Sequence, residues 1–136
     1  MTAKPPKPVL KALLVCDQVI RESGTDKWSV IGVYDRLSVS KFPALIGDLS
    51  VYVRLRDAEG TYRFKLEVVR QPSGPLVAVL EGDVDVKDRA RPVEWGMRTG
   101  RLLIPAAGKY DLNLVMNTEL IGHTELEFAV AKDGAA

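Results

Sequence analysis

The sequence has one cysteine and one histidine in 136 residues, few aromatics (7%) and no excess of either charge, with 19 Lys+Arg against 18 Asp+Glu. A lone cysteine excludes an intrachain disulfide framework, and together with a lone histidine it excludes the usual Cys/His zinc sites. A formal charge of +1 argues against general affinity for nucleic acid or for an acidic membrane, since both require a concentrated basic surface. The apolar run from Val9 to Cys16 is broken by Lys11. It falls far short of the roughly 20 apolar residues that cross a bilayer, and it lacks the form of a secretory signal. A cytoplasmic location without a membrane partner is therefore expected. No Gly-x-Ser-x-Gly, P-loop, His-Glu-x-x-His or dinucleotide fingerprint occurs.

What is present is the composition of an ordinary folded domain: 46% apolar and 27% charged residues. The length suits one domain. Residues 1–8, with Pro5, Pro6 and Pro8 close together, read as a flexible extended arm, because proline donates no backbone hydrogen bond. Residues 9–131 form the single domain, and 132–136 a frayed tail.

Side-chain periodicity is mostly two. Val51, Val53 and Leu55 alternate with polar neighbours, as do Tyr62, Phe64, Leu66 and Val68. The intervening Asp57-Ala58-Glu59-Gly60 predicts a tight turn, so the two runs read as a β-hairpin. The same rhythm predicts strands from Val9 to Ile20, around Trp28 to Tyr34, from Leu76 toward Val86, around Glu94 to Arg98, at Leu102 to Ile104, and in a closing pair through Tyr110 and Phe128. Phe42 to Gly47 reads as a connection with at most one helical turn. The expected fold is all-β: an antiparallel β-sandwich of about seven to nine strands with immunoglobulin-like architecture. Leu14, Val30, Val53, Leu66, Leu112 and Phe128 are the expected core, joined by Trp28, Tyr34, Tyr62, Phe64 and Tyr110.

Pro105-Ala106-Ala107-Gly108-Lys109-Tyr110 has the form of a Pro-x-x-Gly-x-Tyr turn, whose tyrosine caps the corner between sheets. Strand and turn patterns also recur in Leu10 to Asp17, Lys27 to Asp35 and Asn117 to Gly122. On these stretches the chain resembles an uncharacterised family of small bacterial β-sandwich proteins, a domain of unknown function. The resemblance implies the fold and transfers no activity.

Catalytic chemistry is weakly represented. Cys16 lies on an apolar strand face, where a buried inert thiol is expected. His123 sits among Glu119, Glu125 and Glu127. That setting suits a solvated imidazole; a metal ligand or general base is the alternative. Asp83, Asp85 and Asp88 lack the glycine and the distant glutamate of a calcium loop. No enzymatic activity, metal or cofactor is expected.

The distinctive surface is basic. In the hairpin register its outer face would carry Arg54, Arg56, Arg63 and Lys65 around Tyr52. That face could take an acidic, phosphorylated or saccharide ligand, with Tyr52 as a stacking ring and Trp95 as the other candidate aromatic. Alternatively, a meander pairing Arg70 with Leu76 sets Lys65 opposite Glu81 and Arg63 opposite Asp83, and neutralises the patch within the sheet. The leading functional reading is a non-enzymatic interaction or assembly module, using its first and last strands for self-association or for a protein partner. A ligand-binding module on the basic face is the second.

Overall fold

Period-two alternation gives nearly every segment one apolar and one polar face, and such segments bury the apolar face by pairing into sheets. The computed structural model describes residues 4–72 and 74–131, and among them eleven strands form and no helix. The tail expected to fray lies outside the described residues. Among the described residues no helix is long and apolar enough to cross a membrane.

Strands β1 (Val9–Arg21), β2 (Trp28–Val33), β5 (Ser50–Arg56) and β8 (Val93–Arg98) make an antiparallel sheet in the order β2-β1-β5-β8. A second sheet has the order β3-β11-β10-β6-β7, from β3 (Arg36–Val39), β11 (Glu119–Val130), β10 (Gly108–Met116), β6 (Gly60–Arg70) and β7 (Leu76–Val86). Its pairs are antiparallel except β3 with β11, which run parallel. β4 (Ala44–Ile46) and β9 (Leu102–Ile104) form a short ribbon. The all-β reading holds. The strand count exceeds the expected seven to nine, because three- and four-residue strands such as β3 and β4 are too short to show a period.

The expected hairpin does not form. β5 pairs with β1 and β8, whereas β6 pairs with β10 and β7. Between them Asp57 (φ 59°) and Gly60 (φ 112°) take left-handed backbone, and Ala58 is fully buried. The chain thus turns inward and carries β6 into the other sheet. The Tyr62 hydroxyl holds this corner, accepting from the Glu59 N–H at 3.0 Å and donating to the Pro6 carbonyl at 2.6 Å. Alternation cannot separate two strands that pair from two that meet across a core, since both show the same period. Of the arm, residues 4–8 are described and lie in no strand or helix; the Pro6 carbonyl accepts from the Tyr62 hydroxyl and Pro8 is buried.

β1 pairs with β5 through residues 9–16 and with β2 through residues 16–21. Its second half folds back over the outer side of β5 and β8, so this sheet is a curled half-barrel. A Cβ on Gly96 would lie 2.7 Å from Val19, so only glycine admits the close approach. The rings of Trp28 and Tyr52 stand 6.4 Å apart.

The core draws on both larger sheets and the ribbon, with Val53, Leu66, Ile104, Leu112, Leu114 and Phe128 all buried. Leu14 and Val30, expected among these, are only half-buried. A register shift between Leu10 and Ala12 reverses the faces of β1, so Leu13 and Val15 point inward instead. Val30 and Trp28 lie on the part of the sheet that curls outward, and Tyr34 too is half-buried. Tyr110 is fully buried against Phe128, and its hydroxyl donates to the Ala106 carbonyl at 2.7 Å, closing the expected corner.

Candidate functional site

The crossing of β5 to β6 divides the five residues of the expected basic face. Tyr52 and Arg54 lie on the outer side of β5, opposite Gly96 and Glu94 of β8. Tyr52 is only 7% exposed, and its phenol donates to the Glu94 carboxylate, which Arg54 meets at 3.3 Å. Burial, reinforced by the neighbouring Glu94 carboxylate, raises the phenol pKa above its ordinary value. With Trp28 lying against it, Tyr52 has no open face for a stacked ligand. It is a packed, hydrogen-bonded element of the curl.

Arg63 and Lys65 stay together on the outer face of β6, in the register of the meander. Arg63 lies opposite Asp83 and Lys65 opposite Glu81. The ion pairs measure 3.3 Å for Arg63–Asp83 and 3.8 Å for both Arg63–Glu81 and Lys65–Glu81. Carboxylates of β7 thus answer both cations. Arg56 lies at the end of β5 opposite Val9, on the same side of the strand as Tyr52 and Arg54, so the crossing separates these three from Arg63 and Lys65. Trp95 faces inward, its ring centroid 5.3 Å from that of Phe64. Cys16 is completely buried, and burial raises its thiol pKa, as suits an inert side chain. His123 is exposed on β11, opposite Asn113.

The sheet edges are the other feature to which the sequence pointed. β1 and β11, expected to supply edges, are interior strands; the free edges of the two larger sheets are β2, β8, β3 and β7. Three of these carry charge: Glu94 and Arg98 on β8, Arg36 on the four-residue β3, and Glu81, Asp83 and Asp85 on β7. Charges and shortness are the usual means by which an edge is kept from pairing with another chain. β2, Trp28-Ser29-Val30-Ile31-Gly32-Val33, has six residues and no charge. Ile31 is 47% exposed and Val33 56%, and Ile20 of β1 lies beside them, opposite Ser29, at 38%. Their side of the strand points away from the curl.

Residues 11–129 match the model of a family of unknown function (DUF6941). The chain belongs to DUF6941. No curated protein matches it. The DUF6941 match spans the curled sheet, the β5–β6 corner and the uncharged β2 edge alike.

Proposed function

We propose that this DUF6941 chain is a non-enzymatic assembly module that pairs with a second copy of itself along β2. The observation carrying this reading is the uncharged β2 edge with Ile31 and Val33 exposed. An edge of this kind offers unpaired backbone groups and apolar area with no charged side chain of its own to repel an incoming strand, Gly32 (φ 69°) being its one left-handed residue. Antiparallel pairing of two β2 edges about a two-fold axis is self-complementary. Centred on Ile31, it sets Ile31 against its mate, Ser29 against Val33, and Lys27 of one copy against Asp35 of the other. Lys27 and Asp35 are both exposed, and neither makes an ion pair with a described residue. The flanking charges therefore favour this register.

The same reading takes the two larger sheets as the layers of an immunoglobulin-like β-sandwich, supported by their shared core and by the Tyr110 corner. A reducing, cytoplasmic setting fits the free buried thiol of Cys16.

Light scattering over a range of concentrations tests the proposal. The expected mass at high concentration is twice 15.0 kDa. Ile31→Lys should return it to the monomer value. Leu103→Lys, a charge placed on another exposed leucine, should leave the dimer intact. A concentration-independent monomer refutes the proposal.

A further inference from the structure

Arg56, at the exposed end of β5, borders a second surface. It and Asp57 form one wall of a cleft of about 180 Å³, and Arg89, Ala90, Arg91 and Pro92 of the β7–β8 connection form the other. Three guanidinium groups thus face one carboxylate. Arg56 and Arg89 make no ion pair with a described residue, and Arg91 meets Asp88 only at 3.7 Å, between largely exposed side chains. The connection has a defined backbone turn. The Ala90 N–H donates to the Asp88 side chain at 2.9 Å, and the Arg91 N–H to the Asp88 carbonyl at 3.2 Å. That turn holds Arg89 and Arg91 near Arg56 despite the separation in sequence.

An excess of two positive charges in so small a space matches the charge of a phosphomonoester near neutral pH, about −1.5 to −2. Guanidinium forks are the side chains best shaped for its oxygens. The volume has room for a tetrahedral oxyanion. Arg91 and Pro92 also line a larger cleft of about 610 Å³, whose other lining residues include Arg21, Trp28 and the carboxylates of Asp26, Asp85 and Glu94. A carboxylate accepts hydrogen bonds from hydroxyl groups, and the Trp28 indole, with Tyr52 against it and the Arg21 guanidinium 5.8 Å from its ring centroid, adds apolar wall for a sugar that would pack beside Arg21.

We infer that this paired cleft binds a sugar phosphate, with the phosphate held by Arg56, Arg89 and Arg91 and the sugar in the larger cleft near Trp28. The inference is independent of self-association, since it uses neither the outer side nor the free edge of β2.

Calorimetric titration at fixed ionic strength tests it, with inorganic phosphate, glucose 6-phosphate and glucose as probes. Saturable binding of both phosphates is expected, glucose 6-phosphate binding several-fold more tightly than phosphate. Arg89→Ala and Arg56→Ala should each weaken both by about tenfold or more, the usual scale for loss of a charge-assisted hydrogen bond. Trp28→Ala should remove only the advantage of the sugar. Arg63→Ala, a guanidinium outside the cleft, should bind as the wild type does. Equal weakening by Arg63→Ala and Arg89→Ala, or a response that never saturates, would overturn the site. Equal affinity for phosphate and glucose 6-phosphate would overturn the assignment of the sugar.

Discussion

Replacing Asp83 by lysine reverses one rung of the charge ladder between β6 and β7. Arg63 Nη1 lies 3.3 Å from Asp83 Oδ1, and Lys65 and Arg63 each lie 3.8 Å from Glu81, all four side chains being about half exposed. At such distances the attraction in water is about 1 kcal/mol, and measured surface pairs contribute about 0.2–1 kcal/mol once side-chain entropy is included. Asp83→Lys removes that attraction and adds a like-charge repulsion of similar size directly opposite Arg63. The expected cost is therefore about 0.5–2 kcal/mol. For a chain of this length that lowers the melting temperature by roughly 2–8 °C. Asp83→Asn removes only the attraction and should cost about half as much. In 1 M salt the screening length falls to about 3 Å, so the gap between wild type and Asp83→Lys should shrink by more than half. Exchanging the pair, Arg63→Glu with Asp83→Lys, should recover most of the loss. Thermal melts at low and high salt provide the assay. A near-neutral Asp83→Lys, or a loss that salt leaves untouched, would show that the rung contributes nothing across the strands.

Leu66 is fully buried in the core, so Leu66→Ala should cost about 2–5 kcal/mol in denaturant melts; a cost below about 1 kcal/mol would mean that β6 has been assigned the wrong inner face. Because the Tyr62 hydroxyl holds Pro6 to the β5–β6 corner, both Tyr62→Phe and deletion of residues 1–7 should destabilise the protein by about 1 kcal/mol, and a neutral deletion would show the arm to be dispensable. Asp48 accepts from Arg98 at 2.6 Å and from the Gly100 N–H at 2.8 Å, and the Arg98 bond leads in lowering its carboxyl pKa. A lowered pKa in the folded state gives stability that is present above the ordinary carboxylate pKa of about 3.9 and is lost as pH falls through the folded value. Asp48→Asn should therefore flatten the acid limb of the stability profile and leave its shape near neutrality unchanged, and an unaltered acid limb would contradict the assignment.

The ladder was legible in sequence because alternation fixes which residues face one another, although the expected Arg70–Leu76 pairing does not form. Val69 lies opposite Leu76, and an irregularity between Val68 and Val69 restores the expected register for the rest of the two strands. Lys65–Glu81 and Arg63–Asp83 are paired as that reasoning requires. The Tyr110 corner was legible for a similar reason, since its bond to Ala106 is local. Three features were not. The path from β5 to β6 uses the same alternation and turn residues as a hairpin, and only burial of Ala58 and the anchoring of Tyr62 to the arm set it apart. A one-residue shift beside Lys11 exchanged the faces of β1 and brought Leu13 rather than Leu14 into the core. The curl of β1 over β8 depends on a long-range contact at Gly96, for which a strand glycine is the only local signal. The basic face failed as a unit because it rested on the hairpin. Its replacement, Arg56 with Arg89 and Arg91, joins parts of the chain that only the tertiary fold brings together.

Amide hydrogen exchange of β2 as a function of protein concentration probes the proposed assembly at the strand that would form it. Dimerisation through this edge gives the outward-facing amides of residues 28–33 new backbone partners, so their exchange should slow as concentration rises. The amides of the β7 edge, which carries Glu81, Asp83 and Asp85, should keep the same rates. Ile31→Lys should abolish the concentration dependence without altering exchange in the core. Protection of β2 that is unchanged by concentration, in a sample whose mass shows dimer, would place the interface elsewhere and contradict the account.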